Sequence, residues 1–159
     1  MRSFTPSSYS RFTPLHLQKE KHKIIAGEIF LKTLLQAAPS TRSELARQTL
    51  GAATLEAASL LGISQSELAP ILGLSPATVS RLASGRYLLN PASKEWQFAA
   101  LFVRLFRSLD SITGGNDEIS RQWLRNHNTA LSAAPLALLP DVSGLVSVVQ
   151  YLDASRATV

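Results

Sequence analysis

Residues 61–85 read LGISQSELAPILGLSPATVSRLASG, and the punctuation of this stretch decides the fold. Ser64, Gln65, Ser66 and Glu67 have capping-box spacing, in which a serine hydroxyl and a glutamate carboxylate satisfy open amides at a helix N-terminus. The spacing predicts a helix of about eight residues with Leu68, Ile71 and Leu72 on one face. Gly73 supplies the positive φ of a tight turn. Ser75 then caps a second helix, and Pro76 takes its first position, where a missing amide does no harm. Val79 and Leu82 point inward from this helix, and Gly85 stops it. Two short helices joined by a glycine turn make a helix-turn-helix. Pro70 lies inside the first of them, where the lost hydrogen bond and the ring clash typically cost ~3 kcal/mol and predict a kink.

On the C-terminal side, Asn90 and Pro91 repeat the cap-plus-proline start for a long helix to Leu109. It carries Trp96, Phe98, Phe102 and Phe106, and the helical spacing of Trp96, Ala99, Val103 and Phe106 makes it the expected centre of the core. Thr113–Asn116, with two glycines, reads as a boundary. Asp117 and Glu118 favour a new helix start by complementing its dipole, with Ile119 and Trp123 on one face. Asn126–Asn128 breaks that helix, Pro135–Leu139 forms a short one, and Pro140 ends it. From Asp141 a last helix aligns Val142, Leu145, Val146, Val149 and Leu152. On the N-terminal side, Ala52–Leu61 is helical up to the stop at Gly62, and Thr41–Glu44 is a capping box for a short helix reaching Thr49. Leu17–Ala38 reads as a helix apolar around most of its circumference, either a central core helix or one that divides its faces between the core and a second subunit. Pro39 and Ser40 end it. Strand-like alternation of useful length is missing, so the fold class is all-α. The expected organisation is a flexible basic tail over 1–16, a helical domain over 17–113 containing the helix-turn-helix (64–84), and a small helical domain over 116–159.

Composition narrows the function. The chain has 159 residues, close to one ordinary domain, and contains no cysteine, which excludes disulfide scaffolding. Its 45% apolar and 17% charged content is too hydrophobic for a disordered chain. No apolar run approaches the ~18 residues a membrane span needs, and a cytoplasmic protein without membrane association is expected. The net charge of +5 suggests a polyanionic partner. Yet residues 1–32 hold six bases (Arg2, Arg11, Lys19, Lys21, Lys23 and Lys32) against Glu20 and Glu28, and the rest of the chain sums to only +1. His16, His22 and His127 lack the neighbours of a metal site. Gly114 and Gly115 lack the Lys-Ser or Lys-Thr of a phosphate loop, and no serine sits in a nucleophile elbow. Neither catalytic residues, a metal nor a cofactor is expected.

The 61–85 stretch resembles the helix-turn-helix of phage-repressor-like (Xre-type) regulators. The likeness is carried by Gln65, Glu67-Leu68-Ala69, Gly73, Ser75, Val79, Leu82 and Ser84-Gly85. The resemblance implies that Ser75, Pro76, Ala77, Thr78 and Arg81 face DNA and that Gln65 offers its side chain to a phosphate. Of these, Arg81 can make a bidentate contact to guanine, Thr78 can hydrogen-bond, and Ala77 can touch a thymine methyl. Residues 58–90 carry only Arg81 and Arg86 against Glu67. A tri-helical packing module that no longer binds DNA therefore stays open as a second reading.

Further on, WLRNHNTALSAAPLALL (123–139), followed by Asp141, Gly144, Val148 and Leu152, resembles the C-terminal toxin-binding domain of a class of Xre-type antitoxins. Trp123, Leu124, Asn128, Leu131, Pro135, Leu136, Leu138, Leu139 and Gly144 occupy the matching positions, while His127 stands where the family usually has Pro. The resemblance implies a cognate toxin, most often a RES-domain enzyme that consumes NAD, silenced by binding near its active-site cleft. Trp123, Asn128, Leu131, Pro135 and Leu138 would contact it, and Tyr151, Asp153, Ser155 and Arg156 would be the polar groups of the C-terminal segment. The expected function is an antitoxin of a type II toxin-antitoxin system that also represses its own operon at operator DNA, as a homodimer or higher oligomer. The alternative is a stand-alone Xre-type regulator whose C-terminal helices only dimerise. Because the positive charge sits in the N-terminal arm, deleting residues 1–23 should weaken DNA binding and flatten its salt dependence while leaving toxin neutralisation intact. Binding titrations across a salt series measure this; an unchanged slope would remove the arm from the DNA interface.

Overall fold

A computed structural model describes residues 39–156. The tail, the helix expected over Leu17–Ala38, His16 and His22 lie outside the described residues. Within them run seven helices: α1 Pro39–Leu60, α2 Gln65–Leu72, α3 Pro76–Ala83, α4 Lys94–Thr113, α5 Asp117–Arg125, α6 Pro135–Leu138 and α7 Val142–Arg156. The β pairing among them amounts to one isolated bridge, Asn128 with Ala133. The protein is all-α, as its sequence predicts.

The caps written into residues 61–85 form as read. Ser64 Oγ accepts from the Glu67 amide (3.2 Å) while Glu67 Oε2 accepts from the Ser64 amide (2.8 Å), closing the capping box. Gly73 caps α2 in the left-handed region at φ 66°, and Ser75 caps α3 ahead of Pro76. Pro70 does not interrupt α2. It lies in the last turn with its ring exposed, and its carbonyl accepts from the Gly73 amide (3.2 Å). The amide it lacks would have faced Ser66, an exposed position where water can serve the open carbonyl.

Elsewhere the boundaries shift. Thr41–Glu44 does not cap a helix, because α1 already starts at Pro39, a residue tolerated in the first turn. Nor does α1 stop near Thr49. It continues through Gly51, which is buried against α3: a Cβ there would lie 3.0 Å from Leu82 Cδ1. The long helix starts at Lys94 with Ser93 as its cap, not at Asn90. Asn90 forms a local turn instead, its Oδ1 accepting from the Ala92 amide (3.1 Å). The buried stripe of α4 is Ala99, Phe102, Leu105 and Leu109, with Trp96, Val103 and Phe106 only half-buried to one side of it. In α5 the buried positions are Ser120 and Leu124, leaving Ile119 exposed. In α7 they are Leu145, Val148, Val149 and Leu152, and Val142 is exposed. α2 and α3 bury the residues expected of them; α4 and α5 turn a different face inward and α7 buries Val148 in place of Val142 and Val146, because tertiary neighbours choose among several apolar faces.

The described residues from Ser43 onward form one compact unit. α4 packs most extensively along α7, and also against α2 and α5. Thr113–Asn116 is a tight helix-to-helix turn in which Gly114 (φ 64°) and Gly115 (φ 77°) both adopt left-handed backbone. Within the α6–α7 corner the closest approach is at Gly144, where a Cβ would collide with the carbonyl of Leu138. Gly144→Ala should therefore destabilise by about 1–3 kcal/mol, since backbone must move. Gly51→Ala should be near neutral: only the tip of Leu82 has to give, and alanine gains about 1 kcal/mol of helix propensity. Urea unfolding midpoints of the two variants check this contrast, and equal losses would contradict it.

Candidate functional site

α3 presents its N-terminal end to solvent. Pro76, Ala77, Ser80 and Arg81 are exposed, while Val79 and Leu82 are buried beneath them. Ser80 shares the exposed side with Arg81 and was not singled out by the sequence reading; helical spacing from Pro76 and Ala77 would have found it. The hydroxyls of Ser75 and Thr78 hydrogen-bond each other (2.9 Å), and Ser75 Oγ also accepts from the Thr78 amide (3.2 Å). Much of their capacity is thus spent on the cap. Arg81 makes no side-chain hydrogen bond or ion pair among the described residues, so its guanidinium donors are open. Gln65, exposed in the first turn of α2, lies at the end of the motif where that helix opens.

The other candidate residues gather between Trp123 and Arg156. Trp123 and Tyr151 stack at 6.1 Å between ring centroids with planes 22° apart, joining α5 to α7. Both are half-buried, leaving part of each ring accessible. Asn128 builds the loop between α5 and α6. Its Oδ1 accepts from the backbone amides of Ala130 (2.9 Å) and Leu131 (3.2 Å), and its backbone N–H donates to the Ala133 carbonyl (3.0 Å). Pro135 is buried at the start of α6. Asn128 and Pro135 therefore shape this surface more than they offer groups from it. Leu131 and Leu138 are half-buried against the core. Asp141 accepts from the amide of Gly144 (3.0 Å) and from the Ser143 hydroxyl, fixing the start of α7.

Asp153 is not a free carboxylate. Its Oδ1 accepts from the hydroxyl of Ser108, itself buried in α4 (2.8 Å), and its Oδ2 from Arg104 Nη2 (2.5 Å). Ser155 Oγ donates to the Tyr151 carbonyl one turn back (2.9 Å), and Arg156 is exposed at the end of α7. Among the described residues no group of three or more His, Asp and Glu side chains could hold a metal, and no helix is long and apolar enough to cross a membrane.

Two family models match the chain. Residues 39–104 match the antitoxin Xre-like helix-turn-helix domain, and residues 108–157 match the antitoxin Xre/MbcA/ParS C-terminal toxin-binding domain. The chain belongs to the Xre-type antitoxins. No curated protein matches it in sequence. The two matches meet between residues 104 and 108, inside α4, so one helix of the antitoxin serves both modules.

A second connection runs through α5, and no local sequence signal announces it. Arg121 Nε donates to the Leu60 carbonyl (2.8 Å), and Arg125 Nη2 donates to the Gly62 carbonyl (2.8 Å). Leu60 is the last residue of α1 and Gly62 lies in the turn just beyond it, a place where cations complement the helix dipole. Arg125 Nη1 also reaches Glu67 Oε1 at 3.3 Å, in the capping box of α2. Trp123 lies two residues from each arginine and hence on the other side of α5. The antitoxin thus holds its helix-turn-helix on one side of α5 and its aromatic pair on the other.

These contacts set an acid response. The Ser64 amide and hydroxyl, with Arg125 adding to them, hold the Glu67 carboxyl below its ordinary pKa. The Ser108 hydroxyl, then Arg104, does the same for Asp153. A depressed folded-state pKa gives stability that is complete above the unfolded carboxylate range near ~4 and is lost as the pH falls through the folded value. Asp153→Asn should therefore lose less thermal midpoint than the wild type between about pH 5 and pH 3, followed by circular dichroism. An unchanged slope would mean that the Ser108–Asp153–Arg104 contact contributes nothing to folding.

Proposed function

We propose that this antitoxin neutralises a partner toxin by direct binding near its active site and represses its own operon through α2 and α3. The observation that carries the reading is the order of the modules within one compact unit: a helix-turn-helix with an exposed, unpaired Arg81, then a toxin-binding module displaying Trp123 and Tyr151. The proposed toxin is a RES-domain enzyme that degrades NAD, a pairing supported by the resemblance of residues 123–144 to antitoxins of that class. The toxin-binding surface comprises Trp123, Leu131, Leu138 and Tyr151, shaped by Asn128 and Pro135, with Asp153, Ser155 and Arg156 along the C-terminal segment. The DNA-binding surface comprises Gln65, Ser75, Pro76, Ala77, Thr78 and Arg81, with phosphate attraction reinforced by the basic N-terminal arm. A homodimer or higher oligomer acting in the cytoplasm would place two such surfaces on a two-fold operator.

Co-expression tests the first half. The neighbouring gene's product should arrest growth alone and be silenced by the wild-type antitoxin, and Trp123→Ala should neutralise it poorly; a product harmless on its own would leave a stand-alone regulator instead. Gel shifts on the upstream DNA test the second half. Arg81→Ala should lose about 1–3 kcal/mol of operator affinity, while retained affinity would remove Arg81 as the base-reading residue.

A further inference from the structure

α4 and α7 enclose a groove with a cavity volume of ≈ 330 Å³, lined by Arg104, Arg107 and Ser108 from α4 and by Asp153 and Arg156 from α7. Three guanidinium groups meet one carboxylate here. That carboxylate is already satisfied on both oxygens, by Ser108 and Arg104. Ser108 is 1% exposed and the Asp153 side chain 20% exposed, so the floor is anchored in the core. The Arg104 side chain is 63% exposed and spends only Nη2 on Asp153, leaving donors open. Arg107 and Arg156, both exposed, make no hydrogen bond or ion pair among the described residues. Arg156 also feels the Asp153 charge, and three guanidinium groups against one carboxylate leave the groove net positive on two helices packed side by side, with donors that fit carboxylates in bidentate fashion.

We propose that this groove receives an acidic segment of the toxin, with aspartate or glutamate side chains pairing with Arg107, Arg156 and the open donors of Arg104. The proposal rests on the antitoxin reading and adds to it a second, charged contact beside the aromatic pair. Two observations favour a protein carboxylate over a DNA phosphate. One wall is α7, which lies in the toxin-binding match. On the other wall, Arg104 and Arg107 stand six and nine residues along α4 from Phe98, the ring that faces the Gly73 turn. They are thus roughly 9 and 14 Å along the axis from the reading motif's turn.

The test uses the full chain and the purified product of the neighbouring gene. Arg107→Glu should weaken toxin binding about tenfold or more at moderate salt, with a smaller difference at high salt. Arg107→Lys should retain most of the affinity, and Lys94→Glu, the same charge change at the far end of α4, should leave it in place. Reversing an acidic toxin residue to Arg should rescue Arg107→Glu. Thermal midpoints establish that each variant is folded. Unchanged toxin binding by Arg107→Glu, or an equal loss in Lys94→Glu, overturns the groove, as does a loss confined to operator DNA. If the wild-type chain itself does not bind the gene product, the antitoxin reading fails and takes this proposal with it. Wild-type binding that survives Arg107→Glu removes only the groove.

Discussion

Everything in the described unit is organised around the burial of one side of α4. Ala99, Phe102, Leu105 and Leu109 run along that side, and each is at most 1% exposed. Phe102 is among the largest fully buried side chains, and a buried aromatic of this kind contributes more to a core than any single aliphatic neighbour. The helix is 20 residues long, long enough to meet α2 at one end and to accompany α7 at the other. Because the same rod supplies a wall to both modules, neither can shift along it without opening the other's core. The arginines of α5 reinforce this from a second direction, seated on the carbonyl end of α1. Helix ends expose several carbonyls that need partners, and here the partners come from the module that follows in sequence.

The legible parts of the sequence were those whose cause is local. A capping serine, a proline at a first helical position and a glycine with positive φ each act within four residues. Ser64–Glu67, Gly73, Ser75-Pro76 and Asn116–Asp117 therefore announce the structure they form. The C-terminal family likeness was legible for the same reason, being a spacing of Trp, Asn, Pro and Leu along a short stretch. What could not be read was the choice among competing local signals and among apolar faces. Asn90-Pro91 and Ser93 are both credible starts, and packing against the neighbouring elements selects Ser93. α4 has Trp96, Phe98, Leu101, Phe102, Val103, Leu105, Phe106 and Leu109, enough to offer more than one stripe, and the positions of α2, α5 and α7 decide which is buried.

The candidate site shows the same division between near and far. That Trp123 and Tyr151 would meet required knowing that α5 and α7 lie together. Asp153 looked like a solvent-facing group near the end of the chain, yet its carboxylate is held by a serine 45 residues earlier. Arg121 and Arg125, which no spacing pattern marks, reach carbonyls 61 and 63 residues away. Long cationic side chains carry their chemistry beyond the register that sequence spacing reveals.

The hydroxyl pair at the start of α3 has a consequence for how an operator would be told from other DNA. With Ser75 and Thr78 turned toward each other and Pro76 and Ala77 offering no side-chain donor, a groove-docked α3 has a vocabulary of one guanidinium, the Ser80 hydroxyl and a few methyl contacts. So small a vocabulary distinguishes few base pairs by their edges. Discrimination would then fall to the bendability and groove width of the duplex, quantities that a protein registers through the backbone without touching a base.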